Sequence, residues 1–163
     1  MSQTQLGSLI RLQDRALAPV SLFVDTSVWS LAFRRDAPEA IPQVTALTDA
    51  LSGGDTILTT GLVLQELLQG FAGPKARVQI LERFSAVPLL VPDRDDHVQA
   101  AALRNACRRV GVQIGTIDAL IARLCVRHGL TLLSTDQDFE NVARHTPLKF
   151  WRHRAREGPG DFA

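Results

Sequence analysis

The sequence predicts an α/β fold in which helices pack on a central parallel sheet. Short apolar runs alternate along the chain with longer segments of helical period, and this alternation is typical of βα units. The length of 163 residues and the mass of 17.8 kDa suit a single domain. Hydrophobic residues make up 45% of the chain and charged residues 21%, which are average values for globular proteins and exclude a disordered or fibrous chain.

Five strands are predicted from short runs rich in apolar and β-branched residues. The predicted strands span residues 20–25, 55–59, 87–91, 130–134 and 148–151. Pro88 favours the beginning of the third strand, because proline cannot donate a hydrogen bond inside a sheet.

Seven helices are predicted between and around these strands, at residues 26–35, 38–51, 62–69, 74–84, 93–110, 116–128 and 137–143. Pro38 and Glu39 suit the first turn of the second helix, and Gly53 with Gly54 suits its end. Gly129 is expected to end the sixth helix in the left-handed conformation. The predicted domain spans residues 19–151, between an N-terminal extension, 1–18, and a polar tail, 152–163.

Composition excludes several classes of protein. Apolar stretches fall short of the roughly 18 residues of a membrane span, so no membrane partner is expected. Two cysteines, Cys107 and Cys125, are too few for a disulfide scaffold and lack zinc-site spacing, which favours a reducing, cytoplasmic location. The net charge of +1 excludes nucleic-acid binding by bulk charge alone. Arginine greatly outnumbers lysine, which suits phosphate contacts and fits a GC-rich genome equally well.

Acidic residues follow the predicted strands at the edge where parallel sheets bind ligands. Asp25 ends the first strand, Asp136 and Asp138 follow the fourth, Glu66 lies on the helix after the second, and Asp118 opens the sixth helix. Each aspartate taken singly is more often a helix cap. Glu66 borders an apolar helix face, so its carboxylate needs a donor or cation nearby.

Such a cluster is suited to phosphoryl transfer assisted by a divalent metal. Mg²⁺ and Mn²⁺ prefer oxygen ligands, and a metal-bound water is a competent nucleophile near neutral pH. Hydroxyl groups beside the acids are candidates to orient the carboxylates, and they are equally ordinary helix caps. These hydroxyl residues are Thr26, Ser27, Thr116 and Thr135.

Four segments in this order resemble the PIN-domain ribonucleases, and most closely the VapC-type toxins of bacterial toxin–antitoxin pairs. The segments are VDTSVW at 24–29, LQELLQG at 64–70, TIDALIA at 116–122 and LLSTDQDF at 132–139. The likeness extends over residues 20–151 and depends on the ordered set, because no single motif is specific.

This resemblance implies a Rossmann-like three-layer sandwich and an endoribonuclease that uses Mg²⁺ or Mn²⁺ to cut structured RNA such as tRNA or rRNA. Asp25, Glu66, Asp118 and Asp136 match the catalytic and metal-binding acids of the family, with Asp138 in support. It also implies a homodimer and a VapB-like antitoxin whose tail covers the acidic site. About 20 residues precede the first acid here, more than the family usually has.

Other functions stay open at this point. A catalytically silent PIN-like module that binds RNA or protein would be marked by a lost acid, and all four are present. A receiver-like phosphoacceptor domain would need a second acid beside Asp25, where Thr26 and Ser27 stand. A DNA-directed nuclease would use the same metal chemistry. Arg34 and Arg35 are candidates for contacts with substrate phosphates.

Overall fold

The computed structural model describes residues 20–34, 36 and 40–153. Within them, five parallel strands form one sheet flanked by seven helices, so the predicted α/β three-layer class is confirmed. The strands are β1 Ser21–Val24, β2 Thr56–Thr60, β3 Leu89–Leu90, β4 Thr131–Leu133 and β5 Lys149–Phe150. The helices are α1 Thr26–Phe33, α2 Pro42–Gly53, α3 Gly61–Gly70, α4 Pro74–Phe84, α5 Arg94–Arg109, α6 Thr116–His128 and α7 Gln137–Ala143.

The order of strands in the sheet is β3-β2-β1-β4-β5, which places β1 at the centre. From β1 the chain moves outward through β2 to β3, and then crosses back so that β4 pairs with the other side of β1. The direction of winding therefore reverses between β1 and β4. In open parallel sheets ligands bind beyond the carboxyl ends of the strands at such a reversal.

The start of α2 corrects one sequence-based expectation. The predicted helix began at Pro38, which lies outside the described residues, but the observed helix begins at Pro42. Ala40 has a positive φ of 62°, a conformation that breaks any helix running through it, and Pro42 is at the first helical position, where a missing N–H costs nothing. The predicted end is confirmed, since Gly54 is left-handed with φ 76°.

The central strands and one helix supply most of the core. Phe23 and Val24 of β1, and Leu132 and Leu133 of β4, are fully buried. Helix α6 buries six residues against them and ends at Gly129, which has the left-handed conformation that the sequence predicts (φ 64°). Both cysteines are buried and unpaired, as packing thiols.

Helices α5 and α6 form the most extensive helix pair of the described residues, and an ionic cluster joins them. Asp96 of α5 is completely buried and contacts the guanidinium groups of Arg123 and Arg127 on α6. Burial opposes ionisation of Asp96, but the backbone hydrogen bond within its capping box with Asp93 and the Arg127 guanidinium together hold its pKa below the usual value. The cluster fixes the position of α6, which carries Asp118.

No helix among the residues that the structure describes is long and apolar enough to cross a lipid bilayer. The predicted division into an extension, a domain and a tail stays a prediction. Residues 1–19 and 154–163 lie outside the described part of the chain.

Candidate active site

Asp25 is at the carboxyl end of β1, at the reversal in the sheet. Its backbone N–H donates to the carbonyl oxygen of Leu133, which continues the pairing of β1 with β4 by one residue. This register brings Ser134 alongside Asp25. The Ser134 hydroxyl donates to Asp25 Oδ2 at 2.9 Å, and the Ser27 hydroxyl donates to the same oxygen at 3.0 Å.

Burial changes the acidity of Asp25. The residue is only 8% exposed, and its loss of solvation raises the pKa of the carboxyl group, while the hydrogen bonds from Ser134 and Ser27 oppose the rise. Asp25 occupies the N-cap position of α1, yet its side chain makes no capping hydrogen bond.

Ser134 links Asp25 to the acids that follow β4. The backbone N–H of Asp136 donates to the Ser134 hydroxyl oxygen at 3.0 Å, and the N–H of Thr135 donates to the Ser27 hydroxyl oxygen at 3.1 Å. Asp136 caps α7, since its Oδ1 accepts from the backbone N–H of Asp138 at 2.9 Å. Asp136 is therefore a helix cap, the alternative role that the sequence allowed for each aspartate. Its other carboxylate oxygen stays available for another ligand.

Glu66 lies on α3 and is partly buried, as its helical neighbours predicted. The Thr26 hydroxyl at the start of α1 donates to Glu66 Oε2 in a short hydrogen bond. This contact supplies the donor that a desolvated carboxylate needs, and it ties the second acid to the residue next to Asp25.

Asp118 lies in the first turn of α6, where Gly115 is the N-cap. Its pKa is raised to about 6, first by burial and then by the negative charges of Asp25, Asp136, Glu66 and Asp138. The other four predicted acids therefore all lie within electrostatic reach of Asp118. In the described part of the chain none of the five forms a salt bridge.

The other predicted residues fall into three groups. Thr26 and Ser27 hydrogen-bond to acids, and their role in orienting the carboxylates stays a prediction. The side chains of Thr116 and Thr135 make no hydrogen bond among the described residues; Thr116 is exposed at the first position of α6, and Thr135 contributes its backbone N–H instead. Arg34 is exposed at the end of α1, and Arg35 lies outside the described residues.

Ser134 was missed because the sequence shows two adjacent hydroxyls, Ser134 and Thr135, with nothing to rank them. The strand register supplies the missing signal. Val24 pairs with Leu133, so the residues one step further on, Asp25 and Ser134, meet. A cavity of about 750 Å³ lies instead beside the start of β2, and none of the five acids lines it.

The donor set fits a divalent cation in charge and atom type. Carboxylate oxygens without cationic partners are what Mg²⁺ and Mn²⁺ prefer, and a cation would relieve the repulsion that raises the pKa of Asp118. Within the described residues, however, no three acidic, histidine or cysteine side chains form a ready-made metal site. The fit is therefore one of charge and donor type and not of a preformed coordination geometry.

Comparisons with known proteins show the family to which this chain belongs. Residues 22–145 match the family model of the PIN domain. Ribonuclease VapC11 of Mycobacterium tuberculosis (strain H37Rv) is 31% identical over 130 residues, which cover 78% of this chain and 96% of that protein.

Solved structures show the same fold. VapBC2 from Rickettsia felis, crystallised with a promoter DNA fragment, superposes with a TM-score of 0.62 and 20% identity over 81% of this chain and 98% of that chain. M. tuberculosis VapC20, described as a sarcin–ricin loop cleaving toxin, gives a TM-score of 0.55 and 25% identity over 74% and 93%. The resemblance seen in the sequence is thereby confirmed, and the chain belongs to the PIN-domain family as a ribonuclease of the VapC type.

Proposed function

We propose that this chain is the RNA-cleaving toxin of a type II toxin–antitoxin pair, and that Asp25, Glu66, Asp118 and Asp136 are its catalytic acids. The observation that carries the proposal is the convergence of these acids, with Asp138, from four segments at the carboxyl edge of β1 and β4, without a cationic partner in the described residues.

The five acids are proposed as the ligands of Mg²⁺ or Mn²⁺. When bound, the cation supplies an activated water and neutralises charge that develops on the phosphodiester. Asp25 is held in one orientation by Ser27 and Ser134, and Glu66 by Thr26. These contacts set the direction of the carboxylate oxygens before substrate arrives, which lowers the reorganisation needed in the transition state.

The substrate and partners follow from the relatives. VapC11 carries the name ribonuclease, and VapC20 is described as cleaving the sarcin–ricin loop, so a structured RNA is the substrate class that we propose here. VapBC2 is a toxin–antitoxin complex, which supports a VapB-like antitoxin for this chain. Homodimer formation and a cytoplasmic location, where such RNA is found, complete the proposal.

The decisive experiment compares Asp25→Asn with the wild type in cleavage of total RNA, followed by sequencing of RNA 5′ ends. Removing one oxygen ligand and its charge is expected to abolish Mg²⁺-dependent cleavage with the melting temperature retained. Asp49→Asn, on the exposed surface of α2, is the matched control and should cleave as the wild type does. Cleavage by Asp25→Asn at the wild-type rate would overturn the assignment.

The same assay separates the alternatives. A silent RNA- or protein-binding module would leave RNA intact in the wild type as well. A DNA-directed nuclease would cut a matched single-stranded DNA in preference to RNA.

A further inference from the structure

A pocket of about 320 Å³ lies beside the acidic cluster and brings two arginines next to it. Its lining includes Arg104 and Arg108 of α5, Gly115 of the loop that leads into α6, and Asp138. A Cβ placed on Gly115 would be 3.4 Å from Asp118 Oδ2, so the loop and the Asp118 carboxylate are in contact distance. The pocket therefore borders two of the five acids. It is called the arginine pocket below.

Arg104 is held in a fixed position at this pocket. Its Nε–H donates to the carbonyl oxygen of Ile114 at 2.9 Å, and the residue is half-buried. This contact uses one of the five guanidinium donors and directs the others away from the Ile114 carbonyl. Arg108 is four residues further along α5, on the same helix face and one turn away.

Neither arginine is neutralised within the described part of the chain. Arg123 and Arg127, on α6, are both paired with aspartates at the start of α5. Arg104 and Arg108 form no salt bridge there, although Asp138 lines the same pocket. Two guanidinium groups beside the acidic cluster are thus available to bind an anion.

We propose that Arg104 and Arg108 bind a phosphate of the RNA backbone adjacent to the phosphodiester that is cut. This inference rests on the proposed function, because an RNA strand must pass the acids to be cleaved and is repelled by them. Guanidinium groups match the geometry of phosphate oxygens and offset that repulsion. The position of the pocket at the acids favours the substrate over an acidic segment of a protein partner.

The test measures binding of a fluorescein-labelled single-stranded RNA by fluorescence anisotropy, with full-length protein in EDTA so that no cleavage occurs. R104Q and R108Q are each expected to weaken binding roughly tenfold, as loss of one charge-assisted contact does. The slope of log affinity against log salt should fall by about 0.7 for each lost phosphate contact. Arg109→Gln, which removes the same charge one residue outside the pocket lining, should bind as the wild type does.

Because R104Q also removes the contact with Ile114, circular dichroism checks its fold, and the exposed Arg108 gives a variant free of that effect. Equal RNA affinities of R108Q and Arg109→Gln would overturn the proposal. If R108Q instead weakened binding of the antitoxin and left RNA affinity unchanged, the pocket would serve a protein partner, and the proposal would again be wrong. In either case, loss of cleavage in Asp25→Asn would leave the proposed nuclease function intact, whereas cleavage by that variant would remove the nuclease assignment itself.

Discussion

Asp118 is the residue at which the repulsion between the acids is most evident. Its pKa of about 6 in the folded protein lies above the ordinary value of 3.8, because burial and four neighbouring carboxylates disfavour its charge. Between pH 3.8 and about 6, the folded protein therefore holds a proton on Asp118 that the unfolded chain has largely lost. The metal-free protein loses stability as the pH rises through this window, and the loss is complete above about pH 6.

Asp118→Asn is therefore expected to raise the melting temperature in EDTA at neutral pH, because it removes the charge that the fold disfavours. At about pH 3.5 both Asp118 and its replacement are neutral, so the two melting temperatures should nearly coincide. Thermal unfolding followed by circular dichroism at both pH values measures the difference. An equal shift at neutral and acid pH would show that the substitution acts through packing and not through charge.

Ser134 is expected to matter for activity through the carboxylate that it orients. It is 1% exposed, and it donates to Asp25 while it accepts from the backbone of Asp136. Ser134→Ala should lower the cleavage rate about 10- to 100-fold, the usual effect of losing a group that orients a metal ligand. Thr135→Val is the matched variant, since only the backbone of Thr135 takes part. If Thr135→Val lost more activity than Ser134→Ala, this assignment of roles would be wrong.

At the scale of single residues, two of the three hydroxyl groups that donate to the acids in the described residues could be predicted, Thr26 and Ser27, and Ser134 could not. The catalytic role of the acids stays a prediction. An acidic residue that directly follows a predicted strand can be recognised in the sequence. Because parallel strands end at the same edge of the sheet, such residues are expected to lie at that edge. Which hydroxyl reaches that acid depends on register and rotamer. Ser27 and Thr26 are close in sequence to Asp25, whereas Ser134 becomes its neighbour only through the pairing of β1 with β4.

Among the helices, the pair α5 and α6 is held by the buried charge of Asp96 together with Arg123 and Arg127. Asp96→Ala is expected to lower the free energy of unfolding by about 2–3 kcal/mol, since it removes a capping box and the buried carboxylate of Arg123 and Arg127, which keep only the exposed carboxylates of Asp95 and Asp93. Asp95→Ala removes the contacts of an exposed carboxylate with Arg123 and Gln99 and should cost about 0.5 kcal/mol or less. Urea denaturation at neutral pH measures both.

The sign of the pH dependence gives a second check on Asp96. Its pKa is lowered on folding, so its contribution is present above the ordinary value of 3.8 and is lost as the pH falls through the lowered value. The stability curves of Asp96→Ala and the wild type should therefore converge in acid. A difference that persisted unchanged at low pH would mean that the ionised carboxylate does not hold the pair together.

The presence of the helices and strands was predicted more accurately than the residues at which they begin and end. Every predicted strand and helix is present in the described residues, because apolar periodicity is set by burial on the sheet. The start of α2 was placed four residues early, because Pro38 and Glu39 carry the composition of a first turn but Ala40 turns the chain before the helix begins. A positive φ at an alanine is imposed by the surrounding fold, so it cannot be predicted from the residue types alone.

For the molecule as a whole, the negative charge of the acidic site determines which side chains an inhibitor needs. We expect the antitoxin to place an arginine or lysine beside Asp25 and Asp118, because only a cation relieves their repulsion. Co-purification with the product of the neighbouring gene should abolish cleavage, and replacing that basic residue by glutamine should restore it. A structure of an inhibited complex in which no antitoxin cation approached these two acids would contradict the expectation.

The strand order has a consequence for how the protein is made. Asp25 leaves the ribosome early, but its partner Ser134 follows 109 residues later, and β4 must insert beside β1 before the two meet. Until β4 has been made, Asp25 therefore lacks the hydrogen bond that Ser134 gives it in the complete fold. A chain that ends before β4 also lacks Asp136 and Asp138, so we expect such a fragment to show no cleavage.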